Sequence, residues 1–218
     1  MHRQTHQSTR LCATLALALA GLLAGCAQVA TYNPAYVDKP SIATADKLAG
    51  KVLVYTEKSD DDTPFVGAPT SFTGGGTKLT IPLSLITREI ASTVFGEMFR
   101  DGVSKSASLD QAGPFRVVIH PKIRSFSYEY NSLKNAGFAI TPTVVLTLEV
   151  SVLDATGKAM RQRSYESGTF ETPAYVISGS PGEEIGKAAH KAILELMTRA
   201  ANDVRDDLRK SGAPAVNL

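Results

Sequence analysis

The sequence predicts an α+β domain, a two-layer sandwich in which a three- to five-stranded, mostly antiparallel sheet carries two helices on one face. Residues 143–153 alternate apolar and polar side chains with a period of two, as a strand with one buried face does. Residues 83–105 and 181–208 repeat apolar side chains every three or four positions, which is typical of a helix with one buried stripe. Two such helices and one such sheet can cover each other's apolar faces.

Four strands are expected along the chain. They are residues 51–56, 115–130, 143–153 and 159–170. Within the second of these the apolar side chains change parity near Pro121, which predicts a break or a bulge there. Gly157 supplies a turn before the last strand. Residues 57–78 are rich in Gly, Pro, Asp and Thr, so we expect a long loop or an irregular hairpin.

The final helix has the clearest boundary signals in the chain. Ser180 is a capping residue, Pro181 suits the first helical position, and Glu183 follows the cap by three residues. The earlier helix has Ser84 as its candidate cap, and Gly102 is expected to end it.

Charge and cysteine content limit the function classes. Arg3 and Arg10 account for the formal net charge of +2, because the 23 basic residues less these two equal the 21 acidic residues. The balanced remainder lacks the basic excess of a nucleic-acid-binding domain, so no nucleic-acid partner is expected. The 2 cysteines are Cys12 and Cys26, and neither lies in the predicted domain.

The N-terminus has the pattern of an export signal. Residues 1–10 are polar and basic, and residues 11–23 form an apolar run shorter than the roughly 20 residues that span a bilayer. Competing interpretations are an ordinary signal peptide and an uncut signal anchor. The predicted divisions are a signal peptide at 1–25, a lipidated flexible tether at 26–49, a periplasmic α+β domain at 50–210 and a loose tail at 211–218.

Leu23-Ala24-Gly25-Cys26 resembles the lipobox of bacterial lipoproteins. That resemblance implies recognition of Leu23, Ala24 and Gly25 by a signal peptidase, cleavage before Cys26, a thioether-linked diacylglycerol on its thiol and an acyl group on its new amine. The residue that follows the cysteine is Ala27, and at this position an Asp tends to retain lipoproteins of enteric-type bacteria in the inner membrane. Ala27 therefore resembles the residue found in lipoproteins that are sorted to the outer membrane. We therefore expect a periplasm-facing outer-membrane lipoprotein, with the inner membrane as the alternative, and no cofactor besides this lipid.

Catalytic and metal-binding motifs are not visible in the sequence. Only His120 and His190 remain after the predicted cleavage, and neither has a Cys or a second His at ligand spacing, so we expect structural or surface roles and no metal. Neither a Gly-x-Ser-x-Gly nor a His-Glu-x-x-His motif is present. We therefore expect no catalytic residue, and a hydrolase is the least favoured function.

The best candidate for a contact with another molecule is the loop at 63–82. Phe65, Val66 and Phe72 are apolar side chains on a glycine-rich backbone, and Gly75 lies within it, so these four are the predicted partner contacts. The alternative is that the same apolar side chains plug the core. An aromatic row, Phe126, Tyr128 and Tyr130, is expected to pack beneath the helices, with a binding ledge as its alternative.

Beyond the lipobox, the chain resembles small Gram-negative lipoproteins of the YajG type and, more distantly, LptE and the auxiliary lipoproteins of ABC-type lipid transporters. The matching parts are TSFTGGGTKLTIPLSLITREIA at residues 70–91, TVVLTLEVSVLDATGK at residues 143–158 and the final helix. The resemblance implies the envelope location and the fold rather than an activity.

Two functions are therefore carried forward. The first is an interaction or assembly accessory that is tethered to the membrane and docks to an envelope protein. The second is binding or sensing of a small amphipathic ligand, such as a lipid, glycan or peptide, between the helices and the sheet. A filled core with an exposed apolar loop would favour the first, and an enclosed apolar pocket would favour the second.

Overall fold

The computed structural model describes residues 27–61, 63–72, 75–109, 115–131, 139–154, 156–174 and 180–210. Its helices are α1 (Lys58–Asp61), α2 (Leu83–Met98) and α3 (Pro181–Lys210). Its strands are β1 (Ala27–Val29), β2 (Lys51–Tyr55), β3 (Phe65–Gly67), β4 (Lys78–Ile81), β5 (Val103–Ser106), β6 (Phe115–Asn131), β7 (Thr141–Leu153), β8 (Ala159–Glu166) and β9 (Phe170–Glu171).

The larger sheet has six strands in the order β5-β2-β6-β7-β8, with β9 pairing β7 beyond the end of β8. Strand β2 runs parallel to both β5 and β6, and the pairs that involve β7 are antiparallel. The α+β fold class is confirmed. The sheet exceeds the expected three to five strands, because residues that were assigned to the end of the first helix form β5 and the expected strand at 159–170 is divided into β8 and β9.

Both long helices cover the same face of this sheet. Helix α2 packs on β2, β5 and β6, α3 packs on β7 and β8, and the two helices contact each other. One continuous core lies between the layers. Its most buried members include Val54, Ile119, Leu146 and Leu148 from the sheet and Ile86, Ile90, Ile193 and Leu196 from the helices. Each buried aliphatic side chain of this size contributes roughly 1.5–3 kcal/mol, so this interface is the main source of stability.

Helix α2 ends earlier than the apolar spacing predicts. Phe99 is extended, and Gly102 has a φ of 79°, a left-handed conformation that a glycine adopts without strain. The chain then reverses, and Val103 pairs with Val52 in the parallel sheet. Pro82, rather than Ser84, occupies the position before the helix. Helix α3 begins at Pro181, as predicted.

Strand β6 stays continuous through Pro121 and bulges between Ile123 and Ser125. The parity change in the sequence is therefore real, although it occurs after the proline. Its neighbour β2 ends at Tyr55, and the last β2–β6 pair joins Val54 to Ile119. Pro121 thus lies past the end of β2, where the missing N–H of a proline interrupts no bond to that strand.

A second, three-stranded sheet has the order β1-β4-β3. Strand β1 is parallel to β4, and β3 is antiparallel to it. Leu79 and Ile81 of β4 are fully buried against the main core. The region from 57 to 78, which we expected to be a loop or an irregular hairpin, therefore contains α1, β3 and the first residue of β4, and β4 pairs with the segment that follows Cys26.

Candidate functional site

The chain that follows Cys26 is part of the folded domain. Ala27, Gln28 and Val29 pair in register with Lys78, Leu79 and Thr80. The N–H of Ala30 then donates a 2.9 Å hydrogen bond to the carbonyl of Thr80, and Ala30 is buried. This differs from the flexible tether expected over 26–49. The physical reason is that β4 offers an unpaired edge, which a short extended segment can occupy whatever its apolar periodicity.

Two glycines of α3 allow this segment to approach the helix closely. A Cβ atom on Gly182 would lie 3.2 Å from the carbonyl oxygen of Val29, and one on Gly186 would lie 3.1 Å from Cβ of Ala30. Both distances are shorter than ordinary carbon contacts. The pair therefore forms a flat site on the helix that accepts the backbone of β1 and of Ala30.

His190 continues the same helix face and holds the chain just after β1. Its side chain is fully buried. Nε2 accepts a 3.1 Å hydrogen bond from the backbone N–H of Asn33, and Nδ1–H donates a 2.7 Å hydrogen bond to the carbonyl of Gly186. Both bonds form only in the neutral ring that carries its proton on Nδ1. Burial lowers the pKa of His190 below its ordinary value, which keeps the ring neutral.

Two tyrosines of the N-terminal segment enclose this histidine. The Tyr32 ring stacks on it at a centroid distance of 5.6 Å, and the Tyr36 ring meets it edge-on at 5.5 Å. The Tyr36 hydroxyl also donates a 2.9 Å hydrogen bond to Glu183, and Lys187 lies over the Tyr36 ring. The N-terminal segment is thus held by packing, hydrogen bonds and charge along two turns of α3.

Two members of the aromatic row on β6, which we expected to pack beneath the helices, lie inside the domain and bond to the small sheet, whereas Phe126 is half-buried against Phe65. Tyr128 and Tyr130 are buried. The Tyr128 hydroxyl donates to the carbonyl of Gly67 at 2.9 Å, and the Tyr130 hydroxyl donates to Oε1 of Gln28 at 2.8 Å. The row therefore ties β6 to β3 and β1 through hydroxyls that satisfy their polar groups in the interior.

Only one face of the small sheet is buried, and the other face is exposed. Val29 and Val66 both pair with Thr80, so the three side chains form one row across the sheet on its outer face. Val29 is 63% exposed and Val66 is 59% exposed. Ala27 and Lys78 form the next outer row, and both are exposed.

The β3–β4 connection leaves the sheet beside this second row. Gly67, the last residue of β3, pairs with Leu79, and Lys78 begins β4 opposite Ala27. Phe72 lies in this connection and its side chain is completely exposed. We call the exposed set the N-terminal surface; its members are Ala27, Val29, Val66, Phe72 and Lys78.

The four predicted partner contacts are therefore divided. Phe65 is half-buried and packs edge-on against Phe126 at 5.0 Å, so it plugs the core. Val66, Phe72 and Gly75 are exposed. The predicted cleavage and lipidation residues, Leu23, Ala24, Gly25 and Cys26, lie outside the described residues.

His120, the other histidine of the domain, lies on the sheet face away from the helices, 4.9 Å from the ring of Tyr55. Burial lowers its pKa, and the nearby Glu57 carboxylate opposes that shift. Lys122 forms a 2.9 Å ion pair with Asp60 beside it. Within the described ranges, no group of three or more His, Cys, Asp or Glu side chains could hold a metal ion.

The core side chains described above pack between the helices and the sheet. Two open clefts lie at the periphery. One, of about 260 Å³, adjoins the N-terminal segment and is lined by Asn33, Tyr36 and Glu183 among others. The second, of about 320 Å³, lies between Phe65 and the bulge of β6. Among the helices that the structure describes, none has the length and apolarity needed to cross a membrane.

Sequence reasoning missed the site on α3 and the pairing of β1. The sequence did contain a signal for the site on α3. Gly182, Gly186 and His190 are spaced four residues apart and therefore lie on one face of the helix. The sequence did not indicate that residues 27–36 would be the segment packed against this face.

No protein family matches the sequence, and no curated protein has significant similarity to it. A Xanthomonas campestris protein of the family DUF330 superposes with a TM-score of 0.52 at 11% identity, over 85% of this chain and 98% of that chain. This likeness shows a shared fold.

Two further solved structures are lipoproteins. Lipoprotein B from Nitrosomonas europaea matches with a TM-score of 0.37 and 15% identity, over 80% of this chain and 92% of that chain. A minor lipoprotein from Acinetobacter baumannii matches with a TM-score of 0.36 and 9% identity, over 72% of this chain and 94% of that chain. The YajG type stays a prediction.

Proposed function

We propose that this protein is a lipid-anchored lipoprotein of the cell envelope that faces the periplasm and acts as an interaction or assembly accessory rather than as an enzyme. Cys26 carries the lipid, and the domain docks to an envelope protein while the lipid keeps it at the membrane. The outer membrane is the proposed location, because the lipobox is followed by Ala27 and not by an Asp.

One structural observation carries this proposal. Ala27, joined to Cys26 by a single peptide bond, is already a strand residue of the domain. A lipid on Cys26 would therefore hold the folded domain directly at the bilayer. A domain held in this way can meet membrane-embedded partners without a long search, because attachment raises their effective concentration.

Packing of the core also supports docking over ligand carriage. The space in which an amphipathic ligand was expected, between the helices and the sheet, is occupied by side chains such as Ile90, Leu148 and Leu196. The second candidate function, ligand binding, is left with the open cleft of about 320 Å³ beside Phe65 and Phe126. That cleft is at the small end of the range for ligand sites.

Chemical crosslinking on native membranes, followed by mass spectrometry, tests the proposal. Wild type is compared with Cys26→Ser, which cannot form the thioether, and with Cys12→Ser as a matched control that alters the other cysteine. The mass of the N-terminal peptide is measured in the same samples. We expect a lipidated Cys26 and the same captured envelope protein in wild type and in Cys12→Ser.

Capture should be lost in Cys26→Ser, because the domain would then lack the lipid that holds it at the outer membrane. An N-terminal peptide without lipid in wild type would refute the anchor. A lipidated protein that captures no specific envelope protein would refute the docking role and would direct attention to ligands of the cleft.

A further inference from the structure

The geometry points to a lipid bilayer as the molecule that the N-terminal surface contacts: we infer that Val29, Val66 and Phe72 rest on the headgroup region of the anchoring membrane and so fix the orientation of the domain. This inference rests on the proposed lipidation of Cys26. It assigns a partner to Val66 and Phe72, which the sequence marked only as contacts, and adds Val29 to them.

The adjacency of Cys26 to strand β1 in the sequence is the first argument. Ala27 and Lys78 are paired neighbours in adjacent strands, and adjacent strands lie about 4.8 Å apart. The connection that bears Phe72 leaves the sheet after Gly67 and returns to it at Lys78. A lipid on the residue before Ala27 would therefore place this end of the small sheet next to the bilayer.

Exposure is the second argument. The described residues include few large apolar side chains that are exposed, and the N-terminal surface holds three of them; the full set is Val29, Val66, Phe72, Val145 and Met160. A fully exposed phenylalanine is unfavourable in water and favourable at a membrane interface. The three side chains belong to β1, β3 and the connection between β3 and β4, which are parts of this small sheet and its hairpin.

Charge is the third argument. Lys78 is exposed beside Ala27, and the N-terminal surface contains no acidic side chain. A lysine near a membrane surface gains about 1 kcal/mol from anionic lipids. An apolar row with a lysine at its edge suits a phospholipid headgroup region.

Attachment does not depend on this contact. Two or three acyl chains already hold a lipoprotein firmly, since each buried methylene contributes about 0.8 kcal/mol. Removing Phe72 would therefore leave the protein on the membrane. The contact instead sets which face of the domain points to the periplasm, so the appropriate readout is the depth of individual residues.

Single-cysteine labelling gives that readout. After cleavage and lipidation the chain has no free thiol, so Val66→Cys, Phe72→Cys and Met160→Cys each present one site. Met160 is the matched control, because it is also exposed but lies far from the N-terminal surface. The adjacent Arg161 forms an ion pair with Asp207, and Asp207 lies about 30 Å along α3 from Gly186, which contacts the N-terminal segment. Each lipidated variant is labelled with an environment-sensitive fluorophore and reconstituted in vesicles of phosphatidylethanolamine with a minority of phosphatidylglycerol.

We expect blue-shifted emission and several-fold weaker acrylamide quenching for labels at 66 and 72, and unchanged, fully quenched emission for the label at 160. Thermal melting of each variant checks that it is folded, and Phe72→Cys should melt as wild type does because that side chain is fully exposed.

Three outcomes overturn the inference. If the N-terminal peptide carries no lipid, both the proposed function and this inference are refuted. If the lipid is present and labels at 66 and 72 are quenched as strongly as the label at 160, only the inference fails. If a photocrosslinker placed at 72 in native membranes captures a protein instead of phospholipid, the N-terminal surface is a protein interface.

Discussion

The backbone N–H of Asn33 donates a hydrogen bond to Nε2 of His190, a residue 157 positions further along the chain. The bond joins the segment behind the proposed lipid to the longest helix of the domain. Since the acceptor nitrogen must be unprotonated, the attachment depends on the charge state of one buried ring.

Acidification should therefore loosen the N-terminal segment. The folded pKa of His190 lies below its unfolded value of about 6.5, so the unfolded chain binds the extra proton first. Stability contributed by the neutral ring is complete above pH 6.5 and is lost as the pH falls towards the folded pKa, at up to about 1.4 kcal/mol per pH unit. Hydrogen exchange of the Asn33 amide, measured between pH 7 and pH 5, checks this: exchange corrected for intrinsic pH effects should accelerate.

His190→Gln serves as the comparison, because a glutamine does not titrate. Its exchange should be fast and independent of pH over that range. His120 also has a lowered pKa and contributes to global stability, so His120→Gln is measured alongside. Equal pH dependence in wild type and in His190→Gln would contradict the prediction.

Replacing Gly186 by leucine should detach the same segment. A Cβ atom added at Gly186 would lie only 3.1 Å from Cβ of Ala30, so a leucine side chain must displace either the N-terminal segment or the helix. We expect a net loss of about 1–3 kcal/mol in the free energy of unfolding, measured with urea, and faster proteolysis within residues 31–37. Lys191→Leu, at an exposed position of the same helix, controls for the added apolar side chain and should change neither quantity. Equal stability of Gly186→Leu and wild type would show that the close approach does not matter.

Strand β7 allows a matched test of its two faces. Leu146 is fully buried against the helices, whereas its neighbour Val145 is 44% exposed on the other face. Leu146→Ala should lower the free energy of unfolding by about 2–5 kcal/mol through a cavity, and Val145→Ala by less than about 0.5 kcal/mol. Similar losses in both variants would mean that the uncovered face is also packed, for instance against a partner in an oligomer.

The hydrogen bond from Tyr165 to Asp203 should affect the free energy of unfolding at alkaline pH. Burial, followed by the bond to this carboxylate, raises the pKa of Tyr165 to about 12. A raised pKa contributes stability that is complete below the unfolded value of about 10 and is lost as the pH rises through 12. Tyr165→Phe should cost about 0.5–1.5 kcal/mol near neutrality.

Alkaline unfolding profiles of the two proteins provide the check. The difference in stability between wild type and Tyr165→Phe should shrink between pH 10 and pH 12, because the phenol that the variant lacks ionises in that interval. A difference that stays constant through this range would show that Tyr165 is not held as the neutral phenol.

Elements that depend on local chemistry were predictable. Helix α3 begins at Pro181 and buries the stripe from Ile185 to Leu208, because capping residues and a spacing of three or four determine a helix whatever it packs against. Strand β7 buries Leu146 and Leu148 and leaves Val145 exposed, because a period of two determines which side chains share a face.

Pairing between distant segments was not predictable. Ala27–Val29 lacks any strand pattern of its own, and it becomes a strand because β4 has an edge and α3 has glycines at the right two positions. The parallel pairing of β5 with β2 and the position of the β6 bulge likewise depend on neighbours that are far away in sequence. The sequence alone therefore determined the α+β class and the apolar faces, which follow from local residue order. Only the tertiary structure decided that the segment that follows Cys26 belongs to the domain and that Val29 and Val66 form one exposed row, with Phe72 exposed in the adjoining β3–β4 connection, because both facts depend on which segments meet in space.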